Sequence, residues 1–122
     1  MSKLVDLQGV APKAIWDGVL ARLVAGERLT VAIVELAPGG EIPEHRHENE
    51  QIGLVLEGSV TFTVGDETRE LGPGGTWLIP SNAPHRVTTG DRGAVVVDVF
   101  SPPRTDWDRI EPESVRRPLW PR

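Results

Sequence analysis

The three histidines of this 122-residue chain fall into one pattern. His45-Arg46-His47 is followed by Gln51, four residues on from His47, and His85 comes later, just after Pro80-Ser81-Asn82-Ala83-Pro84. Side chains on an extended strand alternate faces, so His45, His47 and Gln51 are expected to point the same way. A fourth group from another strand would close a metal site. The chain has no cysteine, so imidazole is its only strong borderline ligand. Imidazole suits zinc, copper, iron and nickel. A mononuclear metal centre is the leading reading. The bland alternative is a solvated surface strand in which histidines merely sit beside glutamates.

A second stretch also carries chemistry. Asp98 interrupts the apolar run Ala94-Val95-Val96-Val97-Asp98-Val99-Phe100. An aspartate on a buried strand face is costly unless it is bonded or put to use. By the period-two rule Asp98 shares a face with Val96 and Phe100, and not with Val95, Val97 or Val99. If that face lines a pocket, Asp98 points into it with Phe100 near the rim. Arg104 follows after Ser101-Pro102-Pro103, whose prolines stiffen the approach. The alternatives are a structural Asp98 bonded to backbone and an Arg104 that is only a surface charge.

The elements that must hold these groups are short. Turn signals recur at Gly26-Glu27, Pro38-Gly39-Gly40, Glu57-Gly58, Gly65-Asp66, Gly72-Pro73-Gly74-Gly75 and Gly90-Asp91. Between them lie β-branched runs at 29–36, 51–56, 60–64, 77–79, 85–89 and 94–100, and 19–25 is also read as a strand. Gly65-Asp66 is expected to close a tight hairpin. Many short strands with regular turns predict an all-β antiparallel sandwich or barrel. No linker divides the chain, so one domain over 1–122 is expected, with a barrel core at about 19–101. The segment 102–122 carries five of the eleven prolines together with Trp107 and Trp120. It is expected to dock on the barrel or on a partner subunit rather than hang free.

Composition narrows the function classes. A net charge of −5 with no basic block argues against nucleic acid as the main partner. No apolar run approaches the ~20 residues of a spanning helix, and the start Met1-Ser2-Lys3-Leu4-Val5-Asp6 lacks the apolar stretch of a secretory signal. A cytoplasmic protein with no membrane partner is the simplest expectation. Val95, Val97 and Val99, on the far face of their strand, need cover, and a homodimer is expected to supply it, with packing into the core as the alternative.

Gly39, five residues, His45-x-His47, three residues, Gln51, six residues and Gly58 resemble the first motif of the cupins. Gly74, five residues, Pro80 and then His85 resemble the second. The resemblance implies a double-stranded β-helix, or jelly-roll barrel. It also implies one divalent transition-metal ion in the barrel mouth (nickel, zinc, iron or manganese), bound by His45, His47, Gln51 and His85. Two positions depart from the motifs. Asn82 stands where glycine is usual, and asparagine tolerates the left-handed backbone that glycine would supply. Gln51 stands where glutamate is usual, and four neutral ligands leave the full charge of a divalent ion unneutralised. Such a centre is a stronger Lewis acid and favours an anion.

The stretches 45–58 and 97–104 resemble the pectin-degradation cupins of the KdgF type. Those proteins open 4,5-unsaturated uronates, released by pectin and alginate lyases, to linear 5-keto-4-deoxyuronate. The resemblance carries the family's catalytic positions onto Asp98, Phe100 and Arg104, and it implies an enzyme for a small anionic sugar. Two other readings stay open. One is different metal-dependent chemistry, such as a dioxygenase or another isomerase. The other is a cupin that binds a sugar or metabolite without turning it over.

Overall fold

A computed structural model that describes residues 3–122 contains eight strands. They are β1 (Lys13–Trp16), β2 (Val19–Ala25), β3 (Thr30–Leu36), β4 (Glu41–His45), β5 (Glu50–Val64), β6 (Glu67–Leu71), β7 (Thr76–Ile79) and β8 (His85–Ser101). Of these, β3 and β7 alternate buried and open side chains along their whole length. Met1 and Ser2, part of the start read above for a secretory signal, lie outside the described residues. All pairings are antiparallel, in the order β1-β2-β3-β8-β5-β6, with β4 added to β8 and β7 to β5. This is the all-β antiparallel barrel expected from the turn spacing, with the jelly-roll form that the cupin resemblance implies. Among the described residues no helix is long and apolar enough to cross a membrane.

The two long strands hold the fold together. Glu57-Gly58 and Gly90-Asp91 read as turns, yet 51–56 and 60–64 form one 15-residue strand, and 85–89 and 94–100 lie in one 17-residue strand. The register between β5 and β8 shifts at Val55/Glu57 and at Gly58/Val60 instead of breaking. Bulges of this kind bend a strand around a barrel corner while keeping the ladder. Gly58 makes the corner possible: its φ is +79°, and a Cβ there would strike the Gly93 carbonyl. β5 and β8 therefore run through both layers. Phe62, from the second half of β5, stacks on Trp77 of β7 with ring centroids 4.4 Å apart. Val55, Val60, Ile79 and Val96 fill the space between the layers.

Two strands escape a reading by pattern. β4 contains Pro43 and two glutamates and has no apolar alternation, yet it pairs with the start of β8. β1 is a four-residue edge strand held only by β2. The tail does dock. Trp107, in a short 3-10 turn at Thr105–Trp107, is buried and meets Phe100 edge-on at 5.2 Å. Farther on, Glu113 donates its backbone N–H to Pro12, Pro118 is buried, and Leu119 donates to Glu35. Val95 is core, whereas Val97 and Val99 are half-buried beside the exposed Ile52, Leu54 and Leu78.

Candidate metal centre

The expected ligands do meet, but not for the expected reason. His45 ends β4, His47 lies in the turn that follows, and Gln51 is the second residue of β5. No single strand face carries them. The turn folds back because Asn49 anchors it: this side chain is buried and donates to the Pro102 and Pro103 carbonyls. His85 opens β8 directly opposite His45. Asn82, just before it, has φ +62°, the left-handed conformation expected where glycine is usual.

The donor atoms of His45, His47 and His85 lie within 4.8 Å of one another. Each Nδ1 sits 2.8–2.9 Å from a backbone carbonyl: Pro43 for His45, Asn49 for His47 and Ala83 for His85. A carbonyl can only accept, so each Nδ1 carries a proton, and in the neutral imidazole Nε2 is then the nitrogen with the free lone pair. That second contact fixes the tautomer and aims the ligand, as in known metal sites. Burial pushes the His47 pKa down and brings His85 to about 4, so both imidazoles stay neutral near pH 7, the state a metal requires.

Gln51 adds a sharper test of fit. Its amide nitrogen donates to Asp98 Oδ1 at 2.8 Å, which turns Oε1 toward the histidines. Oε1 then lies 3.1 Å from His47 Nε2. Two acceptors face each other at hydrogen-bond distance, and the only proton that could join them is disfavoured by burial of His47. A cation between them satisfies both lone pairs. The residues fit a metal ion.

Asp98 sits behind Gln51. In the pairing of the strands Asp98, Gly53 and Trp77 form one row across β8, β5 and β7. Gly53 has no side chain, so the carboxylate and the indole meet above it: Trp77 Nε1 donates to Asp98 Oδ1 at 2.7 Å. A Cβ at Gly53 would collide with both. Asp98 is buried, with no ion-pair partner among the described residues. Desolvation raises its pKa to about 6, against the downward pull of the Gln51 and Trp77 bonds and the more distant charge of Arg104. Both bonds fall on Oδ1, and Oδ2 has no partner among the described residues.

A cavity of about 310 Å³ opens above this cluster. His45, His47, Gln51, His85, Asp98, Phe100 and Arg104 all line it. Phe100 is buried and lies 5.8 Å from the His47 ring. The Arg104 guanidinium stacks on Trp107 at 3.9 Å and on Phe100 at 4.8 Å. Its fork already grips Asp106, through Nε at 3.0 Å and Nη2 at 2.9 Å. Arg104 is therefore no free surface charge, and Asp106 holds the Nε edge of the fork that a bidentate carboxylate would otherwise take.

Residues 32–100 match the family model for the cupin domain, Cupin_2. The chain belongs to the cupin family. It is 30% identical over 93 residues to the pectin degradation protein KdgF of Dickeya dadantii (strain 3937), covering 75% of this chain and 84% of that protein. The solved structure of KdgF from Halomonas sp. overlays with a TM-score of 0.79 over 87% of this chain and 98% of the other, at 24% identity. An H2HPP isomerase of Bacillus subtilis is 31% identical over 101 residues, which span 79% of this cupin and 42% of that protein.

Within this cupin, sequence reasoning missed four contributors. Gly53 and Trp77 place the Asp98 carboxylate, and Asn49 ties the ligand turn to the Arg104 loop. Trp16 of β1 also lines the cavity. For Asn49 the signal was present, since it is a polar residue between two ligands. Gly53 and Trp77 emerge only from the strand register.

Proposed function

We propose that this cupin opens 4,5-unsaturated uronates from pectin or alginate breakdown, giving linear 5-keto-4-deoxyuronate. One observation carries the reading: a buried carboxyl poised near neutrality, an arginine fork and a three-histidine cluster face a single cavity. The similarity to KdgF points the same way.

The substrate is a cyclic enol ether bearing a carboxylate. C4 takes a proton, water adds at C5, and the hemiketal so formed breaks its bond between C5 and the ring oxygen. A ketone is left at C5, and C1, now an aldehyde hydrate, gives water back. Asp98 Oδ2 is the free carboxyl oxygen that would deliver the proton to C4 and then take one from the water adding at C5. Its Oδ1 stays bonded to Gln51 and Trp77, which fixes the direction of delivery. Arg104 exchanges Asp106 for the substrate carboxylate, to which its planar fork is matched. Phe100 packs on the sugar and keeps bulk water from the acid. His45, His47, Gln51 and His85 would hold a divalent ion, which would supply Lewis-acid polarisation.

Purified protein mixed with 4,5-unsaturated galacturonate should remove the conjugated ultraviolet band faster than buffer does. Equal rates would overturn the reading. A second reading, isomerisation of a different small molecule, is supported by the similarity to the H2HPP isomerase. It would be favoured if H2HPP were isomerised while the uronate was not.

A further inference from the structure

We propose that Trp16 is a ligand-binding residue of this cavity, an aromatic shelf for the apolar face of a pyranose ring. The proposal rests on the sugar-acid reading above and adds where the ring lies.

The argument begins with a break in strand geometry. Neighbouring residues of a strand point to opposite faces. Ile15 and Trp16 are neighbours in β1, yet both line the cavity. The pairing of β1 with β2 slips between Ala14 and Trp16, with Ala14 opposite Leu20 and Trp16 opposite Val19. This bulge turns the indole to the side that regular alternation would deny it. Ile15 does the packing and is half-buried, whereas Trp16 keeps 46% of its surface exposed at the mouth. The other aromatic rings of the cavity, Phe62, Phe100 and Trp107, are all buried.

A single exposed tryptophan is ordinary on a protein surface. Its surroundings set this one apart. The indole lies nearly parallel to the His45 imidazole, at 26° and 6.2 Å between centroids. His45 and His47 then separate it from Phe100 and Arg104 on the far wall. A uronate with its carboxylate at Arg104 and one edge of its ring on Phe100 would direct the opposite edge across the histidines, toward the Trp16 side of the same cavity. The indole N–H has no partner among the described residues and can donate to a sugar hydroxyl. The shelf is also fixed to the clamp: Lys13, three residues earlier on β1, donates from Nζ to the Trp107 carbonyl at 3.0 Å.

The test compares wild type, Trp16→Ala and Trp16→Phe, each loaded with the metal that the wild type carries as purified and checked for metal content and thermal midpoint. Calorimetric titration uses D-galacturonate, a saturated ring, and acetate, a carboxylate with no ring. Trp16→Ala should weaken galacturonate about tenfold and leave acetate unchanged, and Trp16→Phe should restore most of the loss. With 4,5-unsaturated galacturonate, Trp16→Ala should raise KM by a similar factor and move kcat less than twofold. Equal weakening of both ligands, unaltered galacturonate binding in Trp16→Ala, or no galacturonate binding by wild type would each overturn the shelf. Galacturonate binding through Trp16 without turnover of the unsaturated sugar would keep the shelf and sink the ring-opening reading. Turnover with an unchanged KM in Trp16→Ala would do the reverse.

Discussion

Among the described residues the side chains of one arginine and one aspartate are buried, and the chain treats them in opposite ways. Arg22, on the outward face of β2, is 1% exposed because the C-terminal tail lies over it. It is neutralised on the spot: Nη1 meets Glu35 Oε2 at 2.7 Å and Nη2 donates to the Arg116 carbonyl at 3.1 Å, with Nε unpartnered. Asp98, on the inward face of β8, is 7% exposed and has no ion-pair partner among the described residues. It receives two neutral donors, both on one oxygen, and burial lifts its pKa to about 6. A charge buried for structure is paired, because an unpaired one costs several kcal/mol. A carboxyl left unpaired beside a cavity keeps a pKa suited to moving protons near neutral pH. The contrast separates the clasp of the tail from the proposed reacting group of the site.

The largest effect should come from removing the carboxyl while leaving its bonds. In Asp98→Asn the amide oxygen can still accept from Gln51 and Trp77, so the fold, the metal content and the Gln51 orientation should survive. Turnover of the unsaturated uronate should fall by about 10²–10⁴, the range for loss of a general acid–base group. A loss below tenfold would remove Asp98 from the proton path. The mirror-image change is Arg22→Ala, which strands Glu35 and unclasps the tail. It should cost about 3 kcal/mol in urea unfolding and leave kcat/KM per folded molecule unaltered. A large drop in kcat/KM would mean that the clasp belongs to the site after all.

Gly53→Ala should blur the two behaviours. Its methyl would enter the space where Asp98 and Trp77 meet. Overpacking of this kind costs about 1–3 kcal/mol, and here it should also misdirect Oδ2 and lower kcat. Unaltered kcat would show that the carboxylate tolerates a shift, against the placement argued above.

The sequence carried one side of this contrast better than the other. Asp98 and Phe100 were legible because an aspartate within an apolar run on a period-two strand has few places to point. The ligands were legible as residue types, and their spacing misled: it suggested one strand face, whereas a strand end, a turn and a second strand supply them. Asn49 makes that arrangement through bonds to residues more than fifty positions away, which no local pattern encodes. Arg22 was invisible as a buried residue, since only the tail buries it. Glu57-Gly58 and Gly90-Asp91 looked like turns because glycine serves bulges and turns for the same conformational reason.

The smallest effect tests a second pair of ion pairs. Arg22–Glu35 is closed to water, with side chains 1% and 17% exposed, whereas Arg104–Asp106 opens to it at 11% and 56%. An exposed pair is worth little and can exchange partners. Asp106 should therefore compete with the substrate for the Arg104 fork, and Asp106→Asn should lower KM about two- to fivefold without changing kcat. The bonds from Arg104 hold the Asp106 pKa below the ordinary carboxylate range. A depressed aspartate pKa adds stability above its unfolded value and loses it as pH falls through the folded one. Asp106 thus stays ionised and competing throughout the neutral range. The KM advantage of Asp106→Asn should accordingly be flat from about pH 5 to 8, since titration lies on the acid side of that window. A KM that rises in Asp106→Asn would mean that Asp106 orients the fork for substrate instead of occupying it.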